Sequence, residues 1–293
     1  MSWTHEHSWK LASSRAQVFA ALTEPAQLTK WFAEHAETEP AAGGQYRFWG
    51  KHTLETPSRE SATGRLVQYA PVDGMSYAWT IGNVPTEVAL SLSDDGDGTT
   101  LVVAHRVDGE LPWPRQRELI DDYWRLAVGN LSAHLGGGDG IVLPDFASDT
   151  PEIRQVMIID APPSVVFRTL VEPSLVNQWF GSTSATIDPV QNGRYTLGWE
   201  YKINGRDVAG GPTHIIEIES NRRLVLDWPD WRGDQSVTGQ TISFELEPHG
   251  EGTRLTFVHA GFTRTADMGD YPFGWTWFLG ELQKTVNKLT DLT

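Results

Sequence analysis

The sequence predicts an α+β protein built from two tandem copies of one domain. Each copy is expected to be a curved antiparallel sheet wrapped around a long C-terminal helix, with two short helices after the first strand. Three observations support this: the second half of the chain repeats the first in order, alternating strands fill the middle of each copy, and an apolar helical stripe closes each copy. At 293 residues the chain is long enough for two ordinary domains.

The repeat shows as matching residues at a nearly constant separation. The pairs, with separations read from the residue numbers, are Val18–Val166 and Phe32–Phe180 (148), Tyr46–Tyr195 and Trp79–Trp228 (149), His105–His259 (154), and Trp124–Trp275 (151). A separation that is constant within an element and changes at loops indicates a duplicated domain with loop insertions.

A glycine-rich segment at 136–140 separates the two copies. Its composition disfavours helix and strand and is typical of a flexible connector. The predicted organisation is therefore a first domain at 1–136, a linker at 137–151 and a second domain at 152–293.

Each copy is expected to open with a strand, at residues 5–12 and 153–160. In the second copy a helix N-capped by Ser164 follows, and Pro173 ends it before a second short helix.

The middle of each copy is predicted to be antiparallel strands. Tyr195, Leu197 and Trp199 alternate along one of them and should share a face. The closing helices carry apolar stripes, which are Ile120, Trp124, Ala127, Leu131 and Leu135 in the first copy and Trp275, Phe278, Leu282, Val286 and Leu289 in the second.

Composition narrows the function. With 23 basic and 38 acidic residues the net charge is −15, which disfavours nucleic acid and anionic membranes as partners. The chain has no cysteine, and no apolar run long enough to span a bilayer. We expect a cytoplasmic protein without a cofactor or a metal site.

Several motifs resemble one family. They are the Val-Phe, Pro and Trp-Phe opening of each copy, the Gly-x-Tyr strand, Gly-Thr-Arg-Leu-Thr-Phe-x-His-x-Gly-Phe at 252–262, and Gly-Trp-x-x-Phe-Leu-Gly-Glu-Leu at 274–282. Together they resemble the domain homologous to the activator of heat-shock protein 90 ATPase, within the START-like SRPBCC superfamily. The resemblance implies the helix-grip fold, in which a cavity commonly lies between the sheet and the terminal helix.

The expected ligand site is that cavity. Its candidate residues are Trp199, Trp228, His259, Tyr195, Phe257, Trp275 and Phe278 in the second copy, and Trp79, His105 and Trp124 in the first. The two histidines are in phase with the apolar residues of their strands, so each is either a polar group inside a cavity or a satisfied core histidine. The tryptophans equally fit a pocket wall or a solid core. Trp231, in a loop at 230–234 that only the second copy has, could shape a pocket mouth.

Two other motifs are interpreted as structural. The acidic run at 94–98 lacks the downstream glutamate of a calcium loop and fits a tight hairpin. His5-x-His7 has no third ligand nearby in sequence. No catalytic residue is assigned.

The favoured function is non-catalytic binding of a small apolar or amphipathic ligand, more in the second domain than the first. One alternative is a co-chaperone-like protein-interaction module, with a chaperone as partner. The other is a cyclase-like or hydrolase-like enzyme that uses a cavity histidine; whether the chain is an enzyme stays open.

Overall fold

The computed structural model describes residues 2–138, 140–203, 205–230 and 237–290. The chain divides into two compact units, Met1–Asp149 with Thr265–Phe273, and Thr150–Arg264 with Gly274–Thr293. Each half of the sequence forms one helix-grip domain, and the two domains are described separately.

Domain one is a five-stranded antiparallel sheet with a long closing helix. Its elements are β1 (Ser2–Leu11), α1 (Arg15–Thr23), α2 (Pro25–Trp31), β2 (His35–Thr38), β3 (Tyr46–Trp49), β4 (Arg65–Ala70), β5 (Gly74–Ile81), β6 (Val84–Asp95), β7 (Gly98–Asp108) and α3 (Gln116–Gly136). The strand order is β1-β7-β6-β5-β4, and β2 and β3 form a separate pair. Ser14 begins α1 with a capping box, in which Ser14 and Gln17 each bond to the other's backbone N–H.

Domain two repeats this plan. Its elements are β8 (Ile153–Ile159), α4 (Pro163–Val171), α5 (Pro173–Trp179), β9 (Thr186–Ile187), β10 (Tyr195–Thr196), β11 (Trp199–Ile203), β12 (Arg206–Gly210), β13 (Ile215–Glu219), β14 (Arg223–Asp227), β15 (Thr241–His249), β16 (Gly252–Ala260) and α6 (Tyr271–Thr290). The 3-10 helix before α6 (Thr265–Met268) belongs to the first compact unit. The main sheet has the order β13-β14-β15-β16-β8. Read from its other edge, β8-β16-β15-β14-β13 corresponds strand by strand to β1-β7-β6-β5-β4 of domain one. The predicted fold class is therefore confirmed.

Three side-chain hydrogen bonds recur at matching positions and explain the repeated motifs. The Tyr46 hydroxyl donates to Leu22 O at 2.7 Å, and the Tyr195 hydroxyl donates to Leu170 O at 2.8 Å. In the second pair, Trp31 Nε1 donates to Ala21 O at 3.0 Å and Trp179 Nε1 donates to Thr169 O at 3.1 Å. In the third pair, Thr99 Oγ1 donates to Ser13 O and Thr253 Oγ1 donates to Ala161 O, both at 2.6 Å. Each bond satisfies a buried polar group inside the fold.

One strand prediction was wrong. Tyr195 and Trp199 do not share a strand face, because the chain breaks at Gly198, whose φ is +68°. β10 ends before this glycine, and β11 begins after it and pairs with β12. The break sends Trp199 to a different part of the domain from Tyr195.

Both closing helices bury most of the predicted stripe, whereas Leu135, Phe278 and Leu289 are half-buried. Trp124 and Leu131 of α3 and Trp275 and Leu282 of α6 are each at most 2% exposed. The sheet and the helix thus enclose an apolar interior in each domain, and this interior is where the predicted site residues lie.

Candidate functional site

The interior of domain two is lined by aromatic rings around one histidine. The Trp275 ring centroid on α6 lies 4.4 Å from that of Phe257 and 4.9 Å from that of Trp228. His259, two residues after Phe257 on β16, lies 4.5 Å from Phe262. All five side chains are more than nine-tenths buried. Four of these five are residues that the sequence placed in the site.

A directional chain of hydrogen bonds runs through His259. Trp275 Nε1 lies 3.0 Å from His259 Nδ1, and because an indole nitrogen can only donate, Nδ1 must accept. The proton of the neutral imidazole is therefore on Nε2, which lies 3.0 Å from Gln240 Oε1 and donates to it. The Gln240 carbonyl oxygen is used by this bond, whereas its Nε2 is buried without a hydrogen-bond partner among the described residues.

Burial lowers the pKa of the His259 imidazole to about 3. The ring is consequently neutral at pH 7 and has little basicity for proton transfer there. His259 is suited to orienting its neighbours rather than to acid–base chemistry near neutral pH.

Domain one contains the same pair. Trp124 Nε1 donates to His105 Nδ1 at 3.1 Å, and the Trp79 ring stacks on the imidazole with centroids 5.5 Å apart. His105 Nε2 has no hydrogen-bond partner among the described residues, in contrast to its counterpart in domain two. Burial, followed by the proximity of His5, lowers the pKa of His105 to about 3.

The residue facing each histidine differs between the domains. His5 pairs with His105 across β1 and β7, whereas Ile153 pairs with His259 across β8 and β16. His5 Nδ1 lies 3.7 Å from Asp121 Oδ1, and burial is the main cause of a lowered His5 pKa. The strand partner of the histidine is therefore polar in domain one and apolar in domain two.

An aromatic cluster in domain two extends from this interior to the surface. Phe180 is buried and lies 5.5 Å from Trp199 and 5.2 Å from Phe278, measured between ring centroids. Trp199 and Phe278 are half-buried and stack at 5.7 Å with 26° between their planes. Trp277, 5.0 Å from Phe278, is 53% exposed. The four rings form a continuous path from solvent to the Trp275 and Trp228 rings.

The structure brings together nine of the ten predicted residues, six in domain two and three in domain one. Tyr195 is the exception, because its hydroxyl is used by Leu170 at the end of α4. Four residues of the described site in domain two were not among the predicted ones: Phe180, Gln240, Phe262 and Trp277. Phe180 stacks on Trp228 and meets Trp275 edge-on, whereas its repeat partner Phe32 stacks on Trp124. No sequence pattern pointed to Gln240 as a site residue, because it lies in a segment with no repeat motif.

The predicted mouth residue Trp231 lies outside the described residues, as do 232–234 of its loop. The ligand role of all these side chains remains a prediction.

The acidic run at 94–98 forms a hairpin. β6 and β7 form the predicted hairpin around Gly96, and its acids Asp94 and Asp95 pair with Arg15 and Lys10. Among the described residues, no group of three or more His, Asp or Glu side chains could hold a metal ion.

These features define the class of protein: a tandem helix-grip protein with an aromatic interior in each copy. A sequence model of the family described as Activator of Hsp90 ATPase homolog 1-like protein matches residues 12–136 and again 160–287. The chain belongs to this family, and the family resemblance inferred from the motifs is confirmed.

Solved structures resemble the chain at low identity. DynU16, a protein in the dynemicin biosynthetic locus, is 17% identical with a TM-score of 0.41, over 97% of this chain and 98% of its own. Protein MLL2253 from Mesorhizobium loti is 22% identical (TM-score 0.38; 47% and 97% covered). The Aha1 dimer from Colwellia psychrerythraea is also 22% identical (TM-score 0.38; 46% and 95%). No curated protein matches the chain. No helix among the described residues is long and apolar enough to cross a membrane.

Proposed function

We propose that domain two binds a small, mostly apolar, ring-containing molecule between its sheet and α6. The observation that carries this proposal is the half-buried stack of Trp199 on Phe278, with the exposed Trp277 beside it. These half-buried rings expose apolar area to water that a bound apolar ligand would cover. Flat ligand rings would extend this stack inward towards Phe180.

The polar chemistry of the interior indicates which ligands fit. Since His259 donates to the Gln240 carbonyl, the buried group that Gln240 still offers is an N–H donor. A ligand with one hydrogen-bond acceptor, such as an ether, a carbonyl or a phenolate oxygen, would satisfy it. The ligand class is therefore an aromatic or polycyclic body with an acceptor at its buried end.

Two probes of matched shape test the proposal. Methoxynaphthalene carries an ether acceptor, and ethylnaphthalene replaces that oxygen with a methylene group. We expect calorimetric titration to show tighter binding of the ether by about 3- to 10-fold, the worth of one net hydrogen bond. Gln240→Met should abolish this difference, and Trp199→Ala should weaken both probes by about 10-fold.

The matched control is Trp9→Ala, which removes a half-buried tryptophan of domain one that contacts His7 and packs against the core of that domain. It should bind both probes as wild type does. Equal binding by the wild type and Trp199→Ala, or no binding of either probe to the wild type, contradicts the proposal. Native mass spectrometry of gently purified protein would add the mass of any co-purified ligand.

A second candidate function is interaction with a chaperone, which the family description favours. It predicts that the chain changes the ATPase rate of a heat-shock protein 90. An unchanged rate, with no chaperone retained in a pull-down, removes this candidate while leaving the ligand proposal intact.

A further inference from the structure

The segment at 141–148, here called the strap, is fixed to domain one, although its composition predicts a free connector. The Ile141 N–H donates to Asn130 Oδ1, and Asn130 Nδ2 donates back to Ile141 O at 3.2 Å. Asn130 lies on α3 and is 6% exposed. A buried amide whose two ends bond to one backbone residue holds the strap at a defined register.

Two further hydrogen bonds attach the strap to His52 and Lys51 of domain one. His52 Nδ1 donates to Pro144 O at 2.9 Å, and the Phe146 N–H donates to Lys51 O at 2.7 Å. The Phe146 ring lies 6.2 Å from that of Tyr123. The strap itself has no helix or strand, and the Thr265 hydroxyl also donates to Asp145 O within it, at 2.9 Å.

A glycine inside α3 marks the same contact. A Cβ on Gly129 would lie 2.7 Å from Ile141 Cδ1, whereas a Cβ on its repeat partner Gly280 would meet nothing within 4 Å. Glycine in a helix interior destabilises it by roughly 0.5–1 kcal/mol relative to alanine. The tip of the Ile141 side chain thus lies against α3 at Gly129.

The strap covers a site in domain one. Beneath it lies a small cavity lined by Phe32, His52, Tyr123, Leu126, Ala127, Leu143, Pro144 and Phe146. The Tyr123 hydroxyl is buried and has no hydrogen-bond partner among the described residues. Beside it, an open groove of about 440 Å³ runs between the end of α2, Lys51, Asn130 and strap residues 141–143.

We propose that domain one carries a second ligand site, which the strap occupies and keeps closed. Leu143, Pro144 and Phe146 supply three of the eight lining residues, so release of the strap would merge the small cavity with the neighbouring groove. The site then opens onto Phe32 and Tyr123, whose rings contact those of Phe48 and Trp79. This site is separate from the one proposed in domain two.

The lining defines the ligand. A flat aromatic molecule would replace the Phe146 ring beside Tyr123, and an acceptor on it would take the hydrogen bond of the Tyr123 hydroxyl. The groove beside it is lined by Lys30, Lys51 and Glu34, and Glu34 pairs with Lys51 at 3.4 Å. The ligand class is therefore an aromatic compound with a hydrogen-bond acceptor.

The first experiment tests whether the strap closes the site. Gly129→Leu places a side chain where the strap lies, and Gly280→Leu is its matched control in open space on α6. Hydrogen exchange should rise at least 10-fold at the Ile141 and Phe146 amides in Gly129→Leu and in Asn130→Ala, and should stay at the wild-type rate in Gly280→Leu. Unchanged protection in both released variants overturns the closure.

The second experiment tests the site, using methoxynaphthalene in the Trp199→Ala background so that domain two contributes little. Gly129→Leu and Asn130→Ala should each gain one site per chain, with binding at least 10-fold tighter than in that background alone. Adding Tyr123→Phe should weaken the gained site by about 3- to 10-fold. A released strap without a gained site overturns the proposal, and so does an equal gain in Gly280→Leu.

Discussion

At the residue scale, one hydrogen bond settles what the two buried histidines can do. In each domain the indole N–H of a helix tryptophan donates to a histidine Nδ1, at 3.1 Å for Trp124 and 3.0 Å for Trp275. An imidazolium has no lone pair to accept such a bond, so protonation of either ring would break it. Burial away from water also disfavours the charged imidazolium and lowers the pKa of both rings, so both stay neutral in the folded protein near neutral pH.

This neutrality predicts an acid-dependent loss of stability. The pKa of His259 is lowered from 6.5 to about 3 in the folded state, so its contribution is complete above pH 6.5 and is lost as the pH falls. Between about pH 6 and pH 4, the free energy of unfolding should drop by about 1.4 kcal/mol per pH unit for each such histidine. Urea unfolding at several pH values measures this slope.

His259→Gln should remove one histidine's share of that slope. His249→Gln is the control, because His249 is exposed in the hairpin between β15 and β16. A slope that is the same in His259→Gln as in the wild type would show that this ring is not neutral when folded.

The sequence predicted the position of these histidines but not their partners. Strand alternation is local, and it placed His105 and His259 on the inner face correctly. The Trp275 and Gln240 contacts depend on how α6 and the start of β15 meet β16, which no local pattern encodes. For the same reason the unpartnered Gln240 N–H could be found only in the structure.

At the element scale, the errors of prediction come from backbone features that composition does not show. Ser164 was expected to cap the first helix of the second copy, yet this helix, α4, begins at Pro163 with Pro162 at the cap position. Proline is well suited to the first turn, where its missing N–H needs no partner. The break at Gly198 similarly depends on one positive φ within an otherwise alternating run.

The hairpin glycines that begin β7 and β16 are predicted to be essential for both sheets. A Cβ on Gly98 would lie 2.4 Å from Leu11 O, and one on Gly252 would lie 2.5 Å from Ile159 O. Since both obstacles are backbone atoms, Gly98→Ala and Gly252→Ala should each destabilise the protein by about 1–3 kcal/mol. Thermal or urea unfolding measures this loss.

Gly280→Ala serves as the reference substitution, because the same methyl group meets nothing there and alanine favours a helix. It should leave stability unchanged or raise it by up to about 1 kcal/mol. Alanine tolerated equally at positions 252 and 280 would contradict the close backbone approach in the sheet.

At the scale of the whole molecule, net charge governs stability more than any single ion pair. The chain carries −15, and the ion pairs of its described residues lie mostly on exposed side chains. Such pairs are worth about 0–1 kcal/mol each, whereas the repulsion among excess carboxylates acts over the entire surface.

Salt should therefore stabilise the protein. Raising sodium chloride from about 20 mM to about 200 mM shortens the screening length and weakens the repulsion, so the melting temperature should rise. Potassium chloride should give the same rise if screening is the cause. A fall in melting temperature would mean that the surface ion pairs outweigh the repulsion.

The recurring hydrogen bonds of the fold have a practical consequence for engineering. The Tyr46 and Tyr195 bonds, the Trp31 and Trp179 bonds, and the tryptophan–histidine bonds join the same elements in both domains. The two halves thus offer interchangeable parts, so that a terminal helix could be transplanted from one domain to the other with its anchoring bond intact. Chimeras of this kind would assign ligand preference to individual elements within a single chain.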